Sequence, residues 1–150
     1  MNTHPPTTRA VGEGLFAAAD NEHGLPWLLG SRCQRCGEVV FPAMQDCPAC
    51  VSHNSMTGHR LRGAGRIDRF VVAHHGPRGF ATPYIQAFVE LDDGPLVYSL
   101  IDGCEARDDA LRAGQRVVMS ITAVSRDGEV DVIGWKFHPL AAQDAGSQHG

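Results

Sequence analysis

Several features that would assign the chain to a familiar class are missing from its sequence. No apolar run approaches the roughly 20 residues that a membrane-spanning helix needs, and no segment resembles a secretory signal. We therefore expect a cytoplasmic protein whose thiols stay reduced. Lysine is also nearly absent: twelve of the thirteen basic residues are arginine, whose forked guanidinium is better suited to phosphate and carboxylate groups.

The composition is that of a globular protein. The chain has 150 residues, of which 43% are hydrophobic and 20% charged, enough for one ordinary domain and a small additional module. Its charge is unevenly distributed: residues 31–80 carry seven arginines against three acids, whereas residues 81–150 carry eleven acids against five bases. A basic segment beside an acidic domain can face an anionic ligand, although an ordinary solvated surface explains the same pattern.

Four of the five cysteines form two Cys-x-x-Cys pairs. Cys33 and Cys36 are separated from Cys47 and Cys50 by a ten-residue loop. Each pair places two thiolates on one turn, and folding the loop back brings four sulfurs to the corners of a tetrahedron. Four protein ligands leave no open position for water or substrate, so the spacing predicts a structural zinc site. Iron bound as in rubredoxin is the main alternative, while a pair of disulfides conflicts with the expected reducing environment.

The pattern along the chain predicts a mainly β protein in four segments. Residues 1–24 are expected to form a frayed tail and a short helix at 11–22, where apolar residues recur at three-and-four spacing despite two glycines. Residues 25–62 are expected to form a zinc ribbon, in which 27–32 and 39–41 pair as a hairpin and 51–63 is irregular. Residues 63–140 would be a barrel, and 141–150 a flexible tail.

Alternation of apolar and polar residues predicts five strands in the barrel segment. These are residues 65–73, 83–91, 96–101, 116–124 and 130–137. Hairpin turns are expected at Asp92-Asp93-Gly94 and Arg126-Asp127-Gly128, and a single helical turn at 108–114, which starts with acids and ends with glycine. Five strands with a helical element between the third and the fourth are the arrangement of an OB-fold.

No catalytic constellation is evident in the sequence. Cys104 is the only thiol outside the two pairs, and we expect it to be a buried spectator. His74 and His75 can act as acids or bases, but no neighbouring carboxylate would orient them. His53 and His59 are spare metal donors that four thiolates make unnecessary.

The order of these pieces resembles the DUF35 family, in which a rubredoxin-like zinc ribbon precedes an OB-fold. The resemblance covers about residues 25–140. It rests on Cys33-x-x-Cys36-Gly37, Phe41-Pro42, Cys47-Pro48-x-Cys50, Gly63-x-Gly65-x-Ile67, Pro83-Tyr84, Val89-Glu90-Leu91-Asp92-Asp93-Gly94 and Gly114-Gln115-x-Val117. Similar proteins usually read Phe-Pro-Pro-Arg before the second cysteine pair, whereas this chain has Phe41-Pro42-Ala43-Met44 and so lacks that cation.

The resemblance implies an accessory subunit without catalytic residues of its own. Members of this family bind thiolase-fold catalytic subunits and help to bind coenzyme A or acyl-CoA, which implies a hetero-oligomer with two copies of each chain here. Guanidinium groups match the phosphates of coenzyme A. The candidate coenzyme A contacts are Arg60, Arg62, Arg66, Arg69 and Arg78.

A nucleic-acid-binding protein is the alternative, because zinc ribbons and OB-folds often bind nucleic acids. That function requires stacking aromatics on neighbouring strands and a positive groove. Candidates for stacking are Phe70, Tyr84, Phe88 and Tyr98. The acidic barrel argues against it.

Overall fold

A computed structural model describes residues 8–12, 14–19, 24–78 and 80–140. The predicted frayed start, residues 1–8, lies outside the described residues except for Thr8, which begins a strand instead. The predicted flexible tail, residues 141–150, lies outside the described residues. All regular structure in the described part is β, so the prediction of a mainly β protein is confirmed. The strands are β1 (Thr8–Ala10), β2 (Phe16–Ala17), β3 (Trp27–Cys33), β4 (Val39–Val40), β5 (Met56–Arg62), β6 (Ala64–Ala73), β7 (Tyr84–Leu91), β8 (Leu96–Ile101), β9 (Arg116–Asp127) and β10 (Val130–Pro139).

The predicted helix at residues 11–22 is wrong over its described part, 11–12 and 14–19. Phe16 and Ala17 instead form β2, which pairs antiparallel with Leu28 and Trp27 of β3. A helix of this length gains little from its own hydrogen bonds, and pairing with an existing strand satisfies the same backbone groups. The described residues contain no helix that could cross a membrane.

A small sheet is built around β3. Strand β4 pairs with β3 at Ser31 and Arg32, so the predicted hairpin is confirmed. Strand β5 pairs antiparallel with the whole of β3, from Trp27↔Arg62 to Cys33↔Met56. Our expectation that residues 51–63 are irregular was therefore wrong for Met56–Arg62, because pairing with β3 sets that conformation.

The five predicted barrel strands are all present, as β6 to β10. They hydrogen-bond in the order β9-β6-β7-β8-β10, and β10 also pairs with β9, which closes the barrel. Strands β8 and β10 run parallel and the other barrel pairs antiparallel, with β1 added outside β10. The expected helical turn at residues 108–114 is instead two turns, with hydrogen bonds from Ala110 N to Arg107 O (3.1 Å) and from Gln115 N to Arg112 O (3.2 Å).

One continuous core joins the small sheet to the barrel. The alternate residues Ile85, Ala87, Val89 and Leu91 of β7 are all at most 2% exposed, as the sequence alternation predicted. Leu28 and Leu61 of the small sheet are fully buried in the same cluster. Burial of this kind contributes roughly 1.5–3 kcal/mol for each large apolar side chain, so the barrel holds the small sheet, and the cysteines beyond it, in a fixed place.

Candidate metal centre

The two cysteine pairs form two turns with the same hydrogen bonds. In the first turn, Cys33 N donates to Glu38 O (2.8 Å) and Gly37 N donates to Cys33 O (2.9 Å). In the second, Cys47 N donates to Ser52 O and Val51 N to Cys47 O, both at 3.0 Å. The residue after each second cysteine has a positive φ, 83° at Gly37 and 60° at Val51. Each turn therefore directs two sulfurs to the same side.

The sequence prediction that these four cysteines come together is confirmed. Their Sγ atoms all lie within 4.8 Å of one another. The Sγ–Sγ distance is 3.7 Å between Cys33 and Cys50 and 3.5 Å between Cys36 and Cys47. Four sulfurs placed tetrahedrally at about 2.3 Å from a zinc ion are about 3.8 Å apart. The described donor set therefore fits a four-coordinate metal that prefers thiolates.

The thiolates differ in their hydrogen-bond partners. Hydrogen bonds from the Ser55 hydroxyl and from the Cys36 backbone N–H lower the pKa of Cys33 to about 5, although burial opposes them. The backbone N–H of Glu38 favours the Cys36 thiolate, but the neighbouring Cys47 sulfur and burial outweigh it and raise the pKa of Cys36 to about 12. Without a metal, four sulfurs this close cannot all be thiolates, and a cation would remove that repulsion.

Two buried serines lie against the sulfurs, and the sequence analysis missed them. Ser52 and Ser55 are 8% and 7% exposed, and their hydroxyl oxygens are 2.6 Å apart. Ser52 Oγ is 3.0 Å from Cys50 Sγ, and Ser55 Oγ is 3.4 Å from Cys33 Sγ. Ser52 follows Cys50 by two residues, and its backbone N–H also donates to the Cys50 sulfur. This short spacing in the sequence was the available signal that Ser52 lies beside the sulfurs.

The loop between the cysteine pairs is fixed by other polar contacts. Ser31 of β3 accepts a hydrogen bond from Met44 N (2.9 Å) and donates to Met44 O (3.2 Å). His53 is exposed and lies 3.4 Å from a carboxylate oxygen of Asp46, outside the group of four sulfurs. The backbone N–H of Asn54 and the His53 ring lower the pKa of Asp46. His53 therefore contacts the loop through Asp46.

Three of the five arginines proposed for coenzyme A lie near two groups of partners. Arg60 lies over the Trp27 ring, 5.6 Å from its centroid. Arg62 and Arg66 lie near Asp92, whose pKa is lowered mainly by its hydrogen bond with Arg116 and further by these two cations. Arg66 also pairs with Glu90, at 3.1 Å.

The other two arginines of the set lie further along the chain. Arg69 contacts Asp68 at 2.6 Å, and its guanidinium lies 4.5 Å from the centroid of the Phe88 ring. Arg78 is exposed after β6. The five arginines therefore have different partners, and their role in binding coenzyme A stays a prediction.

Exposed apolar side chains occupy the outer face of strands β6, β7 and β8. Phe88 and Tyr98 face each other across β7 and β8 with ring centroids 6.1 Å apart, and they are 37% and 48% exposed. Val71 and Leu96, which are 59% and 44% exposed, lie on the same face. An apolar groove of about 270 Å³ is lined by Tyr98 together with Leu100 and Trp135, among others. We call Val71, Phe88, Leu96 and Tyr98 the barrel patch.

Groups that could catalyse a reaction are poorly assembled in the described part of the chain. Cys104 is half-buried, and burial, followed by the charge of Asp102, raises the pKa of its thiol, which makes it a weak nucleophile. His74 and His75 are exposed. Ser120 Oγ lies 3.3 Å from His138 Nδ1, but no described carboxylate orients this histidine as a nucleophile's base requires.

Comparison with known proteins agrees with this architecture. Residues 58–122 match the family described as "ChsH2, C-terminal OB-fold domain". A "DUF35 domain-containing scaffold protein" of Methanocaldococcus jannaschii is 32% identical over 117 residues, which cover 75% of this chain and 82% of the relative. The "Benzoylsuccinyl-CoA thiolase subunit BbsA" of Geobacter metallireducens is 29% identical over 79% of this chain and 78% of its own length.

A solved structure is similar as well. The "Ltp2-ChsH2(DUF35) aldolase" contains a chain that is 28% identical to this one, with a TM-score of 0.62, and the match covers 77% of this chain and 86% of that one. These matches cover 75–79% of this chain and 78–86% of the relatives. This chain belongs to the DUF35 family.

Proposed function

We propose that this chain is a non-catalytic subunit of a thiolase-type complex, in which it stabilises a thiolase-fold catalytic subunit and helps it to bind acyl-CoA. The observation that carries this proposal is the similarity, over about four fifths of the chain, to a protein named as a benzoylsuccinyl-CoA thiolase subunit. The solved DUF35 relative likewise comes from a structure named as an Ltp2-ChsH2(DUF35) aldolase. The sparse catalytic groups of the described residues support a role in positioning.

The four-cysteine cluster has a structural role in this proposal. Zinc bound by Cys33, Cys36, Cys47 and Cys50 would fix the loop between the turns and the adjoining end of β3. Iron fits the same four sulfurs, since tetrahedral thiolate sites accept either metal. A colourless protein that contains one zinc per chain supports the structural site, whereas a coloured iron protein would favour electron transfer.

The barrel patch is the surface that we assign to the catalytic subunit. Large apolar side chains 37–59% exposed on one sheet face are typical of a surface that a partner covers. A stable contact with a thiolase-fold dimer should bury more than roughly 1,000 Å² and would place two copies of this chain on the dimer. Arg69 lies over the Phe88 ring of this face and Arg66 pairs with Glu90 of the adjacent strand, so these are the arginines that we expect to reach the partner's acyl-CoA.

Reconstitution with the catalytic subunit tests the proposal. Affinity capture of the tagged chain from its host, followed by mass spectrometry, should yield a thiolase-fold protein in near-equal amount, and its activity should fall when this chain is removed. Tyr98→Glu should abolish co-purification with that subunit. Met44→Glu is the matched control, because Met44 is also 48% exposed but lies on the ribbon loop. Retained co-purification of the Tyr98 variant would refute the assignment of the surface.

Coenzyme A contacts need a separate measurement. Arg60, Arg62, Arg66, Arg69 and Arg78 are replaced one at a time by Gln in the reconstituted complex, and coenzyme A affinity is measured. Loss of a charge-assisted phosphate contact typically costs roughly 1.5–3 kcal/mol, or about tenfold or more in affinity. Unchanged affinity in all five variants would contradict this part of the proposal.

Nucleic-acid binding is the second candidate, and one observation favours it. OB-folds bind nucleic acids on the face formed by their second and third strands, here β7 and β8, where Phe88 and Tyr98 are exposed beside Arg69. The net charge of −4 opposes it. If the chain binds single-stranded DNA in a salt-sensitive way and Phe88→Ala abolishes that binding, the barrel patch would be assigned to nucleic acid instead of the catalytic subunit.

A further inference from the structure

The two cysteines exposed at the surface of the metal centre have matched positions but different neighbours. Cys36 and Cys50 are each the second cysteine of a pair, and both are exposed, whereas Cys33 and Cys47 are 1% and 2% exposed. Each exposed sulfur accepts a hydrogen bond from the backbone N–H two residues later, Glu38 or Ser52. Only Cys50 has a serine hydroxyl as well, at 3.0 Å.

The serine hydroxyls can serve only one thiolate at a time. In the structure the Ser52 hydroxyl donates to Ser55 Oγ at 2.6 Å, and the 3.0 Å contact between Ser52 Oγ and Cys50 Sγ can have either atom as the donor. Each hydroxyl has one proton, so Ser52 can donate to Ser55 or to Cys50 but not to both. Cys33 already accepts from the backbone N–H groups of Arg35 (3.3 Å) and Cys36 (3.5 Å). When a metal holds Cys50 as a thiolate, its sulfur can only accept, so the 3.0 Å contact then requires the Ser52 proton, and Ser55 donates to Ser52 in its place.

We propose that the Ser52–Ser55 pair makes the metal-binding thiolates chemically unequal, so that Cys36 is the site at which the loaded cluster reacts with soft electrophiles and Cys50 is protected. This inference rests on the proposed metal site. A hydrogen bond withdraws charge from a thiolate sulfur and lowers its nucleophilicity. Cys36 lacks that hydroxyl, and it borders a groove of about 500 Å³ that is also lined by Arg32, Arg35 and Thr57.

The reaction is a conjugate addition when the electrophile is a maleimide. The Cys36 sulfur lone pair forms a bond to one alkene carbon, the π electron pair moves to the neighbouring carbon, and water supplies the proton that neutralises the product. The thioether that results no longer carries a negative charge, so it binds the metal more weakly than the thiolate did. Labelling of Cys36 therefore weakens metal binding at the exposed side of the site.

Peptide mapping of the metal-loaded full chain tests this inference. The protein is treated with sub-stoichiometric N-ethylmaleimide, and singly labelled chains are digested and analysed by mass spectrometry, with the metal content measured on the same sample. We expect most of the label on Cys36. Ser52→Ala should raise labelling of Cys50 relative to Cys36 about tenfold, as expected for loss of one hydrogen bond to a charged group.

Thr57→Val is the matched control. Thr57 borders the same groove, but its hydroxyl donates to the Arg32 carbonyl (3.4 Å) rather than to a sulfur, so this variant should leave the ratio unchanged. Equal labelling of Cys36 and Cys50 in the unaltered, metal-loaded chain would overturn the inference without any variant, as would a ratio that Ser52→Ala does not change. Absence of bound metal would instead overturn the metal site together with the inference.

Discussion

Replacement of Val51 by glycine should stabilise the metal-loaded protein. Val51 has a φ of 60°, a left-handed conformation that is unfavourable for a β-branched residue, and its counterpart in the first turn is Gly37 at 83°. Such a conformation costs about 1–3 kcal/mol, and glycine adopts it freely but loses about 0.5–1 kcal/mol more conformational entropy on folding. Val51 is 73% exposed, so few contacts are lost. The net expected gain is about 1 kcal/mol.

The gain is measured as the free energy of unfolding of the zinc-loaded protein in urea, or as a rise of about 2–4 °C in Tm. Asn54→Gly is the matched control. Asn54 also has a positive φ, 54°, but asparagine tolerates this region, so the control should change stability little. Equal or lower stability of Val51→Gly would refute the argument from backbone strain.

Three further variants test the metal centre, an ion pair and the sheet. Cys33→Ala should abolish stoichiometric metal binding measured by elemental analysis, because it removes one of four clustered ligands, whereas Cys104→Ala should retain it. Asp92 has a lowered pKa in the folded state because of Arg116, so its contribution to stability is present above the unfolded pKa of about 3.9 and is lost as pH falls through the lower folded pKa. Asp92→Asn should therefore be less stable than the unaltered chain at pH 7, and urea titrations should show the difference shrink as the pH falls below about 3.9. Gly65→Ala should cost about 2 kcal/mol or more, since its Cβ would collide with a backbone carbonyl of the adjacent strand, and an unchanged urea midpoint would contradict this.

Strong local patterns in the sequence predicted the barrel and the cysteine cluster. Alternate burial in β7 follows directly from its alternating apolar residues, and spacing alone brought four sulfurs together because each Cys-x-x-Cys turn is short. Both signals depend on neighbours in the chain, so they needed no knowledge of the tertiary structure.

The incorrect expectations concern segments whose conformation depends on distant partners. Strand β5 reads Met-Thr-Gly-His-Arg-Leu-Arg and shows little apolar alternation, so only its pairing with β3 explains why it is extended. The apolar residues near Phe16 follow a helical spacing, but the segment is too short to form a stable helix without packing. It pairs with β3 as a strand instead. Ser52 and Ser55 were missed because the role of a hydroxyl depends on what the fold places beside it.

The strand connectivity also dictates an order of assembly during synthesis. Strand β10 pairs with β1, β8 and β9, so residues 131–133 meet residues 8–10 across nearly the whole described chain. The barrel therefore cannot close until β10 has left the ribosome, and such distant pairings form slowly. The four cysteines span only residues 33–50 and can come together much earlier. A nascent chain would then carry a finished cysteine cluster and exposed, unpaired strands, and in that interval a chaperone or the proposed catalytic subunit would protect the largest unpaired surface.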